Sequence, residues 1–118
     1  MFIVMTNETQ YRILVSGGNV SSDVTIGGSL LRVTALTTLG TRWHHVVFTY
    51  DGATRRLYLD GIQAASNAVT GNIATSANPL YIGEQTENIF PFNGAIDDVR
   101  IYNRALSYAE VLQLYNSR

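Results

Sequence analysis

The chain has no cysteine, no lysine, two prolines and one tryptophan. Without cysteine there is neither a disulfide to brace a small fold nor a thiolate nucleophile, and without lysine there is no Schiff-base or amine-base chemistry. Charge is also scarce. Eight arginines stand against nine carboxylates, for a formal net charge of -1 at pH 7. Nothing therefore draws the chain as a whole to a phosphate backbone or an anionic bilayer, and nucleic acid is not an expected partner. The N-terminal apolar run, Met1 to Met5, is far below the roughly 20 residues that span a bilayer and lacks the basic start of a signal peptide. Neither a membrane span nor a targeting segment is expected in it. Glycine-rich phosphate loops are missing as well.

What the chain does have is β-forming residues at high density. Thr, Val and Ile make up 31 of 118 residues, Tyr adds seven, and Gly and Asn recur about every ten residues. This pattern predicts many short strands and, at this length, one domain over residues 1–118, an all-β sandwich or barrel. Asp51-Gly52 and Asp60-Gly61 lie between β-rich runs, where a tight turn needs positive φ, so 43–50, 55–59 and 62–65 read as a meander. Further strands are expected at 11–15, 24–26, 30–34, 80–82 and 94–102. Asp23, Asn72, Asn78 and Asn103 read as turn residues by preference. One helix is signalled, over 108–115. Ser107 and Glu110 form a capping box ahead of it, with Leu106 and Val111 as a hydrophobic staple.

Several motifs follow one another in order: Trp43-His44-His45-Val46, Tyr50-Asp51-Gly52, Leu57-Tyr58-Leu59-Asp60-Gly61, Leu80-Tyr81-Ile82-Gly83, Gly94-Ala95-Ile96-Asp97-Asp98-Val99-Arg100-Ile101-Tyr102 and Arg104-Ala105-Leu106-Ser107. Together they resemble the laminin-G-like domains of the concanavalin A-like jelly rolls, from residue 42 to 115. The resemblance implies an antiparallel β-sandwich, a jelly roll whose opening strands have no counterpart here. It also implies a non-catalytic carbohydrate-binding or adhesion role outside the cell or at its surface. A late start would leave strand 94–102 with a bare edge, and a bare edge is a template for pairing. Two outcomes are open: a homodimer that completes the sheet across a two-fold axis, or a monomer whose own Phe2–Met5 folds back over the edge. Self-association as a structural or protein-interaction domain is thus the alternative function, and an accessory domain of a larger extracellular enzyme is a third.

Alternation along 94–102 places Ala95, Asp97, Val99 and Ile101 on one face, which Val99 and Ile101 mark as buried. A buried Asp97 needs a cation or several donors. The resemblance implies a structural calcium at Asp97, shared with groups near the chain start; turn amides or an Arg are the other partners that would serve. Calcium takes six to eight oxygens, and Asp97 is the one candidate ligand. His44 and His45, adjacent on a strand, face opposite sides and cannot share a zinc ion. Trp43 shares the parity of His45 and Val47 and reads as core. The polar loop 84–92 supplies Gln85, Asn88 and Phe90, planar hydrogen-bonding groups beside an aromatic face, and is the expected glycan-binding element. Its plain alternative is a solvated connection with Phe92 buried.

Enzyme chemistry finds no support. A glycosidase needs two carboxylates held across one bond, and Asp97 and Asp98 point to opposite faces of a strand. No Ser–His context suggests a triad. Asn7-Glu8-Thr9 and Asn19-Val20-Ser21 match a glycosylation pattern too short to weigh.

Overall fold

The computed structural model describes residues 2–6, 10–75, 77, 79–83 and 91–117. Eight strands precede one helix: β1 (Phe2–Thr6), β2 (Tyr11–Ser16), β3 (Asn19–Ile26), β4 (Ser29–Ala35), β5 (Val46–Tyr50), β6 (Thr54–Leu59), β7 (Ile62–Ala68), β8 (Leu80–Ile82) and α1 (Tyr108–Asn116). They form a five-stranded sheet in the order β4-β3-β2-β1-β8 and a three-stranded sheet in the order β5-β6-β7. Every pairing is antiparallel. The architecture is the expected all-β sandwich with one short C-terminal helix. Among the described residues no helix is long and apolar enough to cross a membrane.

Local chemistry sets the hairpins. Gly17-Gly18, Gly27-Gly28 and Asp60-Gly61 each have positive φ at both positions, the geometry of a two-residue turn whose twist matches the flanking strands. Asp51-Gly52 does something different. The Asp51 carboxylate accepts the N–H groups of Ala53 and Thr54 at 2.9 and 2.7 Å, so side chain and backbone together close a slightly longer turn. At the helix, Ser107 Oγ accepts from the Glu110 amide at 3.2 Å and Glu110 Oε1 from the Ser107 amide at 3.0 Å.

The core follows from strand parity. Val15, Val20, Val33 and Ala35 project from the five-stranded sheet onto Leu57 of β6, with Ile13, Val46, Phe48, Ala65 and Phe92 packed around them. The opposite face of the three-stranded sheet carries Tyr58, which packs with Leu106, Val111, Val47 and Leu114. The staple pair thus lies in one apolar cluster, and α1 makes a third layer. Gly61 permits this approach: a Cβ there would lie 3.0 Å from Tyr115 and 3.1 Å from Leu112.

Across the middle of the five-stranded sheet, Arg12, Asp23 and Arg32 are directly in register on β2, β3 and β4. Asp23 is fully buried. Arg12 Nε donates to it at 2.6 Å, and Arg32 donates through Nε and Nη2 at 2.8 and 2.9 Å. Burial pushes the Asp23 carboxyl up, but the hydrogen bonds and charges of Arg32 and Arg12 outweigh it and hold the group below its ordinary value. Asp23 is therefore a mid-strand anchor and not a turn residue. Preference misplaced it because a short polar side chain resembles a turn former until its in-register arginines are seen.

Three other expectations are corrected. Residues 94–102 form no strand. Asp98 takes φ +57°, which breaks the extended run, and its N–H bonds the Asp97 carboxylate at 2.8 Å. Asp97 is accordingly exposed, not buried. Trp43 is 64% exposed, because β5 begins only at Val46 and strand parity does not reach back to it. The Phe2–Thr6 segment does fold back into a sheet, but between β2 and β8.

Asp23→Ala would strand two arginines beside an empty carboxylate position. The cost expected from urea unfolding is about 3 kcal/mol, at the low end for a buried pair because Arg32 is half exposed. Because the folded pKa lies below the unfolded one, the Asp23 contribution is complete above pH 3.8 and declines as pH falls below it. Acid unfolding followed at several pH values should show that slope in the native chain and lose it in the variant.

Candidate functional site

A cleft of about 420 Å³ runs between the two sheets at their open side. Consecutive residues of β5 line it regardless of parity, so it follows the strand's edge and not one of its faces. Tyr11 and Ile13 of β2 form the floor, and residues 98 and 100–104 form the facing wall. In the order β5-β6-β7, β5 has a strand neighbour on one side only among the described residues.

The mouth is polar and partly aromatic. The Tyr50 hydroxyl is shared between the carbonyls of Val69 and Gly71, at 3.2 and 2.5 Å, and ties the 69–71 turn to the rim. Arg100 faces Asp98 at 3.2 Å, and Tyr102 and Asp98 raise the Arg100 pKa. Arg104 grips Glu110 with both terminal nitrogens, at 2.8 and 2.5 Å. That fork and the Ser107 amide hold the Glu110 carboxyl down at about 2. Tyr102 stands 44% exposed between these two arginines in the chain. Arg100, Asn103 and Arg104 line the same cleft as this accessible ring. This is equipment for recognising a polar ligand with an apolar face.

The sequence-derived candidates divide. Gln85, Asn88 and Phe90 lie outside the described residues, as does Asn78. The base of their loop is described: the Phe92 N–H donates to the Gly83 carbonyl at 2.6 Å, and Phe92 packs against the core. Asp97 sits in the segment that leads into the cleft wall, facing solvent. Among the described residues no three of His, Asp and Glu gather to hold a metal, and calcium takes six to eight oxygens; part of the chain start that the calcium expectation called on, residues 7–9, lies outside the described residues.

His44 and His45 precede β5 and meet one carboxylate. Asp60 accepts from the His45 amide at 2.9 Å and lies 2.8 Å from His44 Nδ1, which fixes the start of β5 to the β6–β7 turn. The His45 ring also lines the cleft and packs at 5.9 Å from Tyr115. Arg55 was missed by reasoning from sequence. Fully buried on the core side of β6, it donates to Asn67 Oδ1 at 2.7 Å and to the Leu31 carbonyl on the opposite sheet. Burial pushes its pKa down, and Asp23 and Tyr50 oppose that. Shared parity with Leu57 was the available signal, masked by the expectation that arginine faces water.

A family model of the laminin-G type, described as the concanavalin A-like lectin/glucanases superfamily, matches residues 1–112. The chain belongs to the laminin-G-like family. This laminin-G-like domain is 28% identical over 116 residues to the adhesion G-protein coupled receptor V1 of Danio rerio, covering 96% of the chain and 2% of the receptor. Among solved structures it is similar to an S-layer domain-containing protein of Clostridium thermocellum, at 25% identity and TM-score 0.58, over 96% of the chain and 61% of that structure. The binding domain of Paraclostridial Mosquitocidal Protein 1 shares the fold, at 19% identity and TM-score 0.69, over 98% of the chain and 31% of its own. The laminin-G-like domain thus spans a small part of the receptor and less than two-thirds of either structure.

In an NMR pH titration the Glu110 carboxyl should remain ionised down to about pH 2. Arg104→Ala should move its midpoint up toward the ordinary 4.5, because the Arg104 hydrogen bond is the largest cause of the depression.

Proposed function

We propose that this laminin-G-like domain is a non-catalytic carbohydrate-binding or adhesion module that takes its ligand along the mouth of the cleft beside β5. The observation that carries this reading is the exposed Tyr102 ring between Arg100 and Arg104, next to Asn103 at the cleft's rim. A sugar presents an apolar face to a ring and a rim of hydroxyls to forked donors, and such a mouth suits both. Family membership supports the same class of role, and so does the resemblance to a receptor named for adhesion. It also supports a place outside the cell or at its surface. Gln85, Asn88 and Phe90 belong to this proposal as candidate glycan contacts from the connection between Gly83 and Phe92, whose described ends are joined by a hydrogen bond and meet the core at Phe92.

Self-association, the competing role, would use an outer strand of either sheet, β4, β5, β7 or β8, and not 94–102. A sedimentation experiment at micromolar concentration decides it: a one-chain mass is expected, and a stable dimer would favour that competitor.

The glycan reading is tested on an array probed with calcium and with a chelator. Retention in both conditions is expected, since the described donors do not build a calcium site. Tyr102→Ala should weaken retention about tenfold or more, the loss typical of a central aromatic anchor, and leave thermal unfolding near that of the native chain. Silence on the array with the chain folded would remove the carbohydrate reading and leave protein adhesion. Retention abolished by chelator would return Asp97 to the site.

A further inference from the structure

The three large apolar side chains most exposed among the described residues are Leu36, Ile62 and Trp43, at 88%, 67% and 64%. All three lie at one end of the sandwich. β4 stops at Ala35 and β5 starts at Val46, so the connection 36–45 crosses from one sheet to the other over that end. The Leu39 amide donates to the Gly18 carbonyl at 2.9 Å and the Thr37 amide to Asn19 Oδ1 at 3.0 Å, which pins the connection to the β2–β3 turn. At its far end the Asp60 amide donates to the His45 carbonyl at 2.8 Å, beside the β6–β7 turn from which Ile62 emerges. Leu39 is the anchor, packed against the core. Leu36 and Trp43, on either side of it, are left outside.

Charge at this end departs from the even balance of the whole chain. From Val24 to Tyr50 there is neither Asp nor Glu. Asp60, the carboxylate beside the patch, is taken up by His44 Nδ1 and the His45 amide, at 2.8 and 2.9 Å. Arg42 is exposed and joins no ion pair among the described residues. A cation without a carboxylate thus adjoins an indole that projects into solvent. Phosphate above hydrocarbon is the environment that satisfies both groups at once, the guanidinium in the headgroups and the apolar bodies just beneath them. A protein partner would need a matching surface of roughly 800 Å² on each side. Tips carried by separate segments suit a lipid surface, which yields around each of them.

We infer that this end of the sandwich is a membrane-surface contact, in which Trp43, Leu36 and Ile62 enter the boundary between headgroups and acyl chains and Arg42 meets an anionic headgroup. The hydrogen bonds at Thr37, Leu39 and His45 hold the connection in place, so the tips are presented without a folding step. The contact lies at the loop end and not at the mouth beside Tyr102, and it is independent of the ligand proposed above.

Trp43 is the one tryptophan of the chain, so tryptophan emission reports on this end alone. Mixed with vesicles of phosphatidylcholine and phosphatidylserine, the full chain should float with the lipid, and Trp43 emission should move to the blue and be quenched by brominated acyl chains. Leu36→Ser and Ile62→Ser should each weaken partition about tenfold. Arg42→Gln should lose about fivefold on vesicles that contain phosphatidylserine. Leu30→Ser, at an exposed leucine near the opposite end of β4, should leave partition unchanged. If a serine variant folds poorly, quenching of Trp43 in the native chain decides. A folded chain that stays in the aqueous phase overturns the inference, as does partition with unshifted Trp43 emission or an equal loss in Leu30→Ser. A blue shift that needs no vesicles and grows with protein concentration would assign the patch to a second copy and overturn it too.

Discussion

A β-sheet's side chains alternate, so a slip of one residue between strands would send every core side chain to water. In the five-stranded sheet that slip is blocked by charge. Arg12, Asp23 and Arg32 meet only when β2, β3 and β4 are in the observed register, and any other register leaves a buried carboxylate without its two cations. Ser21 and Thr34, also in register, share a hydrogen bond of 2.8 Å on the same face. With Arg12 held outward, Tyr11 and Ile13 must turn inward, where they become the floor of the cleft. The ion triad does more to choose among registers than to add net stability, since burying charge is costly even when it is paired.

The second sheet depends on a related device. Arg55 reaches from β6 to the Leu31 carbonyl of β4 and sideways to Asn67 of β7, so one guanidinium joins both sheets inside the core. Asp60 fixes the entry to β5 by accepting from His45 beside His44. These polar contacts frame an apolar interior, and the cleft lies along β5, the outer strand of the described three-stranded sheet.

Much of this was legible in the sequence. The meander from β5 to β7, the strand at 80–82, the helix and its capping box follow from Asp-Gly spacing, alternation and the Ser107–Glu110 pair, all of them short-range signals. The roles of Asp23 and Arg55 were not legible, because each depends on which residues of other strands come into register. Residues 94–102 misled for the same reason. Alternation reports what a segment can pair with and not whether it is paired, and Asp98 takes a backbone angle that no pattern of hydrophobicity encodes. Of the candidate site, the cleft-wall residues Arg100 and Tyr102 were within view as part of a motif, but strand parity drew the weight to Asp97 beside them.

What the fold offers is a mouth built from an exposed ring and forked cations over an apolar floor, on a laminin-G-like scaffold. Recognition at that mouth is the central claim, and amide shift mapping tests it most directly. With a glycan retained on the array titrated into labelled protein, shifts concentrated in 45–50 and 98–104 are predicted. Shifts confined to the outer face around Arg12, Asp23 and Arg32, or to the exposed Trp43 end, would contradict it.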